Sequence, residues 1–249
     1  MSAPFEKAER SCFNLTHYAR LIPEHHAIFV MPPGCSRILR LSAIEEGISH
    51  RFTMFNLEPA DVIDGAVEEI LLEAARSTLE RLTEEGQRPK VFSLFVSCVD
   101  SFIGTDHDYV LETLRAEAPD VIFLDLAVDP INRDTLPPLV RLHREVTALF
   151  EHCEPVRAVN WLGSYLTPAQ QEQSLEKALA ERGIASRHLL DCESLSELRS
   201  FGGSLANIVV SAVALPAARS LKQRLGMPYL NLVKPDDPES MGEEELLAL

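Results

Sequence analysis

The chain has 249 residues, with 23 Lys and Arg against 38 Asp and Glu, and 46% of its residues are hydrophobic. This length allows two ordinary domains with substantial cores, and the apolar fraction excludes a wholly disordered chain. The net charge of −15 argues against nucleic acid and anionic membrane surfaces as partners, since both attract Lys and Arg. No apolar run reaches the ~18 residues of a membrane-spanning helix and no secretory signal begins the chain, so we expect a cytoplasmic protein.

Apolar runs alternate with helical patterns along the chain. The predicted strands are, in order, 26–31, 52–57, 91–96, 121–126, 156–162, 187–190, 208–213 and 229–233. The predicted helices between them are 36–46, 61–85, 106–117, 139–150, 167–181, 194–200 and 216–225. Strands that alternate with helices, most of them ten residues or longer, indicate parallel sheets covered by helices. The predicted fold class is therefore α/β, with two Rossmann-like domains whose mostly parallel sheets are flanked by helices.

A polar break divides this pattern. The segment 151–156 (Glu-His-Cys-Glu-Pro-Val) ends a long predicted helix before a new strand begins. We therefore predict one domain over about 1–153 and a second over 154–235. The remaining residues, 236–249, carry six acids and no base, a composition typical of a solvated helix or a frayed end.

Five cysteines are the residues most suited to chemistry, and a chain of this size in the cytosol needs no disulfides. Cys35 follows the first predicted strand, Cys98 follows the third, and Cys12 precedes the first. Ligands of open parallel sheets bind outside the carboxyl ends of the strands, where three thiolates would hold an iron–sulfur cluster. Packing in the core is the alternative for each thiol, and the absence of a Cys-x-x-Cys pair removes the signature of a zinc ribbon. The other two cysteines are Cys153 and Cys192.

Other candidate motifs are weaker. The sequence has no P-loop for ATP and no Gly-x-Ser-x-Gly nucleophile elbow. We expect His25 and His26 in a polar turn, His107 exposed near a helix start, and Gly202–Gly203 in a turn. Asp125 ends a predicted strand and is placed to line a cleft, and Trp161 is expected to pack.

Three cysteine-containing segments resemble the nitrogenase component 1 family, which includes molybdenum–iron protein subunits and subunits of dark-operative protochlorophyllide reductase. The segments are Cys12, Val30–Arg37 (Val-Met-Pro-Pro-Gly-Cys-Ser-Arg) and Val96–Asp106 (Val-Ser-Cys-Val-Asp-Ser-Phe-Ile-Gly-Thr-Asp). The 22 residues between the first and second cysteines, and the 62 between the second and third, resemble the family spacing. The chain departs from the family where Met31 replaces a glycine and Thr105 an aspartate.

The resemblance continues through most of the chain. Glu58–Gly65 is similar to the family segment between the second and third cysteines. In the second predicted domain, Asn160–Gly163, Ala206–Val210 and Leu225–Tyr229 are similar to strand and turn markers of the family. Family members usually have three such domains, so the resemblance implies a short member that lacks the third.

The resemblance implies that Cys12, Cys35 and Cys98 bind an iron–sulfur cluster in the first domain. The cluster is either a 4Fe–4S cluster completed by a partner residue or a larger cluster shared across a subunit interface. The implied partners are a second copy or a homologous subunit, and an ATP-dependent iron protein that donates electrons.

The implied function is an oxidoreductase subunit of a nitrogenase-like reductase. A non-catalytic scaffold for assembly of an iron–sulfur cluster or cofactor is the first alternative. A module that keeps the fold for protein interaction alone is the second, and three cysteines in the family spacing weigh against it.

Overall fold

The computed structural model describes residues 21–96, 99–126, 136–163 and 170–249. These residues form two compact units. The first contains the described residues from Glu24 to Pro138, and the second contains Leu21–Pro23 together with Leu139–Leu249. Each unit is built around a parallel sheet with helices packed on it, which confirms the predicted α/β class.

In the first unit, the described residues form a four-stranded sheet in the order β2-β1-β3-β4. The strands are β1 (His25–Met31), β2 (Phe52–Asn56), β3 (Val91–Val96) and β4 (Ile122–Asp125). The central strands β1 and β3 are buried along their whole length, which explains why their sequences are mostly apolar. They pair in parallel up to Val30 and Val96, so they end side by side.

Five described helices accompany this sheet. They are α1 (Pro33–Glu45), α2 (Pro59–Ile63), α3 (Val67–Glu84), α4 (Asp100–Ile103) and α5 (His107–Glu117). The predicted helix over 61–85 is therefore two helices. The break lies at Gly65, whose φ of 67° belongs to the left-handed region and interrupts a right-handed helix.

In the second unit, the described residues form another four-stranded parallel sheet, in the order β6-β5-β7-β8. The strands are β5 (Val156–Leu162), β6 (Ala185–His188), β7 (Ser204–Val209) and β8 (Tyr229–Asn231). The helices of this part of the chain are α6 (Pro138–Ala148), α7 (Gln170–Ala180), α8 (Leu195–Ser200), α9 (Leu215–Leu225) and α10 (Glu243–Leu247). The two sheets thus repeat one strand order.

The histidine pair is buried, which corrects the expected polar turn. His25 and His26 begin β1, and each hydrogen-bonds a neighbouring strand. The Nε2 atom of His25 lies 2.7 Å from Ser93 Oγ, and that of His26 lies 2.8 Å from Thr53 Oγ1. Burial, reinforced by the nearby positive charge of Arg81, lowers the pKa of His26 to about 4, so this side chain is neutral at pH 7.

The strand β7 begins earlier than the predicted 208–213. Gly202 and Gly203, which were expected in a turn, lead directly into it, and they allow a close approach of the chain that enters β5. A Cβ atom on Gly202 would lie 1.9 Å from the carbonyl oxygen of Glu151, and one on Gly203 would lie 2.5 Å from that of Glu154. Only glycine fits this contact.

Residues 236–249 pack on the second unit. Leu246 of α10 is fully buried in the core cluster of this unit, and the side chain of Asp237 is 1% exposed. The carboxylate of Asp237 accepts hydrogen bonds from Arg219, Tyr229 and Asn231. Over the described ranges, no helix has the length and hydropathy to cross a membrane.

Candidate functional site

The strand order of the first sheet places a switch point between β1 and β3. The chain leaves β1 toward β2 on one side and leaves β3 toward β4 on the other. In open α/β sheets, ligands bind outside the carboxyl ends of the strands at such a point. The turn after β1 contains Cys35, and the chain that follows β3 contains Cys98.

Cys35 lies in the first turn of α1. Pro33 begins this helix, and the backbone N–H of Cys35 donates to the carbonyl oxygen of Pro32 at 3.0 Å. Cys35 is exposed, and a Cβ atom built on the preceding Gly34 would have no neighbour within 4 Å. The Pro-Pro-Gly turn thus holds an accessible thiol at the carboxyl edge of the sheet, with open space beside it.

The other two predicted cluster ligands, Cys12 and Cys98, lie outside the described residues. Within the ranges that the structure describes, no group of three or more His, Cys, Asp or Glu residues is arranged to hold a metal ion. Thiolates are the ligands that iron–sulfur clusters use, and Cys35 has the exposure that such a ligand requires. This described residue therefore fits a cluster at the switch point.

The two remaining cysteines are placed differently. Cys153 and Cys192 are both half-buried. The Sγ atom of Cys153 lies 3.9 Å from the carbonyl oxygen of Arg199, and that of Cys192 lies 3.3 Å from the carbonyl oxygen of Ser194. Burial and the neighbouring carboxylate of Glu197 raise the pKa of Cys192 to about 12. A thiol with that pKa keeps its proton at pH 7 and is a poor metal ligand.

The segment Gly104–Asp106, part of the third cysteine-containing segment, forms the entry to α5. Gly104 has a φ of 70°, which lies in the left-handed region that residues with a side chain rarely adopt. The carboxylate of Asp106 caps the helix by accepting the backbone N–H of Tyr109 at 2.9 Å. The backbone N–H of Asp106 donates to Glu68 at 2.9 Å, which ties this turn to α3. These contacts give the segment a structural role.

The structure brings together His107 and Asp125, which are distant in the sequence. His107 begins α5, Asp125 ends β4, and His107 Nδ1 lies 3.4 Å from a carboxylate oxygen of Asp125. Their side chains are 17% and 14% exposed, so His107 is more buried than expected. The end of a strand and the start of the helix that follows a neighbouring strand lie at the same edge of the sheet. The pair is therefore expected only once β3 and β4 are known to be neighbours.

A cavity of about 450 Å³ lies elsewhere on the first unit. It is lined by residues of α1, β2, α3 and the turn before β2, among them Arg40, Phe52 and Arg81. Phe52 begins β2, so the cavity is next to the amino end of that strand. It is therefore separate from the carboxyl edge where Cys35 lies.

The second sheet has its own switch point between β5 and β7. Gly163 follows β5 with a φ of 94°, and a Cβ atom there would lie 2.6 Å from Cβ of Ser211, which follows β7. Residues 164–169 lie outside the described residues. The turns that follow β5 and β7 therefore approach each other closely at Gly163 and Ser211.

In the second unit, the family-like segments Asn160–Gly163 and Ala206–Val210 contribute buried side chains to the sheet. Asn160 Nδ2 donates to Asn207 Oδ1 and to the carbonyl oxygen of Phe201, both at 3.0 Å, and its Oδ1 accepts Ser204 Oγ at 2.8 Å. Trp161 is 2% exposed, as expected for a packing residue. These buried hydrogen bonds fix the pairing of β5 with β7.

Comparisons with known proteins agree with this architecture. The family model for nitrogenase component 1 type oxidoreductase matches residues 18–243. A search of curated proteins finds no match.

Two solved structures of nitrogenase Cp1 are similar in fold. The structure at pH 6.5 has a TM-score of 0.68 and 9% sequence identity, over 89% of this chain and 53% of that one. The structure at pH 5 has a TM-score of 0.64 and 16% identity, over 93% of this chain and 53% of that one. The chain thus spans about half the length of these structures. Because the family model covers most of the sequence, this chain belongs to the nitrogenase component 1 type oxidoreductase family.

Proposed function

We propose that this chain is a subunit of a nitrogenase-like reductase. In this proposal Cys12, Cys35 and Cys98 hold an iron–sulfur cluster, and the chain accepts electrons from an ATP-dependent iron protein. The observation that carries the proposal is the placement of Cys35, an exposed thiol at the switch point of the first sheet. Family membership and the spacing of the three cysteines supply the rest.

The chain's own residues have defined tasks in this proposal. The Pro32–Gly34 turn holds the Cys35 thiol near the end of β1. Strand β3 ends beside β1, and the chain continues from that end to Cys98. A bound iron–sulfur cluster supplies reversible electron transfer. Such a cluster needs reduced thiols, so we also propose a cytoplasmic location.

Three cysteines leave one iron of a four-iron cluster without a protein thiolate. We therefore propose that a partner chain supplies the fourth ligand, and that this partner is a second copy or a homologous subunit. Cys192 is a poor candidate for that ligand because burial and Glu197 raise its pKa to about 12.

A scaffold for assembly of a cluster or cofactor is the second candidate function. The observation that favours it is the exposure of Cys35, because a cluster bound by an exposed thiol is accessible for transfer to another protein. Both functions place the cluster on the same three cysteines.

The cluster is tested by anaerobic purification followed by iron and labile sulfide analysis and visible absorption. We expect brown protein whose iron and sulfide are lost in Cys35→Ala and Cys98→Ala. Cys192→Ala is the matched control, since it also removes a thiol, but a half-buried one whose pKa is raised by burial. Colourless, iron-free wild-type protein, or equal iron in the Cys35 and Cys192 variants, would contradict the proposal.

A second experiment separates the reductase from the scaffold. Cluster-loaded protein is mixed with a cognate iron protein, with ATP or with a non-hydrolysable analogue, and the cluster's absorption is followed. Reduction that requires ATP hydrolysis supports the reductase. Transfer of iron and sulfide to an apo-acceptor without such reduction supports the scaffold.

A further inference from the structure

The cavity of the first unit extends around the outer edge of its sheet. In the described part of the chain, β2 is the edge strand and pairs with β1 on one side only. Side chains of a strand alternate between its two faces, so Phe52 and Met54 point to one face and Thr53 points to the other. All three residues line the cavity, which therefore reaches from one face of β2 to the other.

Two arginines line this cavity from helices on opposite faces of the sheet. Arg81 of α3 donates to Thr53 Oγ1 at 3.2 Å, so α3 lies on the face to which Thr53 points. Asn56, three positions later in β2, points to the opposite face, where its Oδ1 atom accepts a hydrogen bond from Ser36 of α1 at 3.1 Å. Arg40, also on α1, therefore approaches the cavity from the side opposite to Arg81.

The two guanidinium groups differ in their partners. Arg81 Nη1 donates to both carboxylate oxygens of Glu85 at 3.0 Å, and the bond from its Nη2 to Thr53 holds the group at the cavity wall. Arg40 is exposed, and among the residues that the structure describes its side chain has no hydrogen bond or ion pair. Arg40 therefore brings to the cavity a positive charge that no described carboxylate neutralises.

The electrostatic surroundings of the cavity are positive, although the chain carries a net charge of −15. His26 Nε2 lies 2.8 Å from the hydroxyl of Thr53, one of the lining residues. Burial lowers the pKa of His26 to about 4, and the charges that add to this shift are all positive, those of Arg81, Arg51 and His50. A concave site with a positive potential attracts anions.

The rest of the cavity wall is largely apolar. Phe52 and Met54 are half-buried, Ala43 is buried, and Ile44 lines the cavity although it is 58% exposed. Apolar walls with a few convergent polar groups are typical of small-molecule sites, whose volumes are about 300–1,000 Å³. The cavity of about 450 Å³ lies within that range.

We propose that this cavity binds a small organic anion, a carboxylate or a phosphate ester with an aromatic or short aliphatic body. Arg40 provides the planar fork of donors that binds either oxyanion, and Arg81 provides a second positive charge across the cavity. The body of the ligand packs against Phe52, Met54 and Ile44. The site is separate from the edge where Cys35 lies and needs no cluster, so its tests and those of the proposed function fail independently.

The first test is calorimetric titration of the full-length protein with naphthylacetate and with naphthyl phosphate, which carry the two oxyanions on the same body. At least one of them should bind with a dissociation constant of about 1 mM or less. Naphthylacetamide, which is neutral, and inorganic phosphate, which lacks the body, should each bind about tenfold or more weakly than the matching anion. The tighter of the two naphthyl anions identifies the oxyanion that the site prefers.

The second test removes the unpaired charge. Arg40→Gln should weaken binding of the preferred anion about tenfold or more, because a hydrogen bond to a charged group is lost. Arg37→Gln is the matched control, since Arg37 is an exposed arginine one turn earlier on α1 and lies outside the cavity lining. It should leave the dissociation constant unchanged within about twofold.

The third test adds a negative charge to the cavity wall. Ile44→Glu should weaken binding about tenfold or more, because the new carboxylate repels the ligand. Leu41→Glu is the matched control, since Leu41 is 53% exposed on the same helix and lies outside the cavity lining. Both positions are exposed, so both variants should keep the circular dichroism spectrum and unfolding midpoint of the wild type.

The proposal is overturned if neither naphthyl anion binds the wild-type protein. It is equally overturned if naphthylacetamide binds as tightly as naphthylacetate, or if inorganic phosphate binds as tightly as naphthyl phosphate. Equal weakening in Arg40→Gln and Arg37→Gln, or in Ile44→Glu and Leu41→Glu, would place the anion outside this cavity and overturn the proposal as well.

Discussion

Replacing Asp237 with alanine should destabilise the second unit strongly. Asp237 belongs to an acidic segment, yet its carboxylate is buried and accepts bonds from Arg219 at 3.2 Å, Tyr229 at 3.1 Å, Asn231 at 3.0 Å and the backbone N–H of Glu239 at 3.2 Å. The substitution leaves the buried Tyr229 hydroxyl and Asn231 amide without this acceptor. Arg219 is 42% exposed and can be hydrated, so the loss comes chiefly from the two buried groups left without an acceptor and is about 2–3 kcal/mol.

The expected loss is measured by thermal and urea unfolding. A change of this size lowers the unfolding midpoint of a domain this large by about 10 °C. Asp236→Ala is the matched control, because Asp236 is the adjacent acid, carries the same charge and is exposed. If the two variants unfold alike, the carboxylate of Asp237 does not hold the segment 236–249 to the unit and the reasoning is refuted.

The lowered pKa of Asp237 predicts that the stability of the second unit depends on pH. Burial alone would raise the pKa of Asp237, but the hydrogen bonds from Asn231, Glu239, Tyr229 and Arg219 outweigh it and lower the pKa from 3.8 to about 2. The ionised form therefore stabilises the fold above about pH 4, and this contribution is lost as the pH falls toward 2. The difference in unfolding free energy between wild type and Asp237→Ala should be constant near neutral pH and shrink only below about pH 4.

Two further predictions concern the second unit. Gly163→Ala should destabilise it by about 2–5 kcal/mol, because the new Cβ meets Ser211 at 2.6 Å on a backbone with a φ of 94°. Gly183→Ala is the control, with a φ of 70° but nothing within 4 Å, and should cost only about 1 kcal/mol in urea unfolding. Burial lowers the pKa of His143 from 6.5 to about 3, so protonation favours the unfolded chain and stability should fall by about 1.4 kcal/mol per pH unit below 6.5. His143→Leu should flatten that slope, and an unchanged slope would contradict this role of the histidine.

The sequence alone predicted the alternation of strands and helices and most of their bounds. Strands such as Val91–Val96 are buried on both faces, so their mostly apolar sequences are easy to recognise. The cap of α5 at Asp106 was also predictable, because capping depends on residues three positions apart. Such local features need no knowledge of distant parts of the chain.

Contacts between distant residues required the structure. The pairing of His107 with Asp125 depends on the order of strands β3 and β4, which periodicity does not encode. Gly202 supports a close approach to Glu151, 51 positions earlier in the chain, and its sequence context is that of an ordinary turn.

The acidic segment shows the same limit most clearly. The six acids of 236–249, with no base among them, indicate a solvated end of the chain. This composition does not reveal which of the six acids is buried. The sequence by itself determined the α/β class, the strand and helix succession and the family spacing of Cys12, Cys35 and Cys98. Only the tertiary structure decided that Asp237 is buried while Asp236 is exposed, because a buried carboxylate depends on donors that Arg219, Tyr229 and Asn231 bring to it through packing.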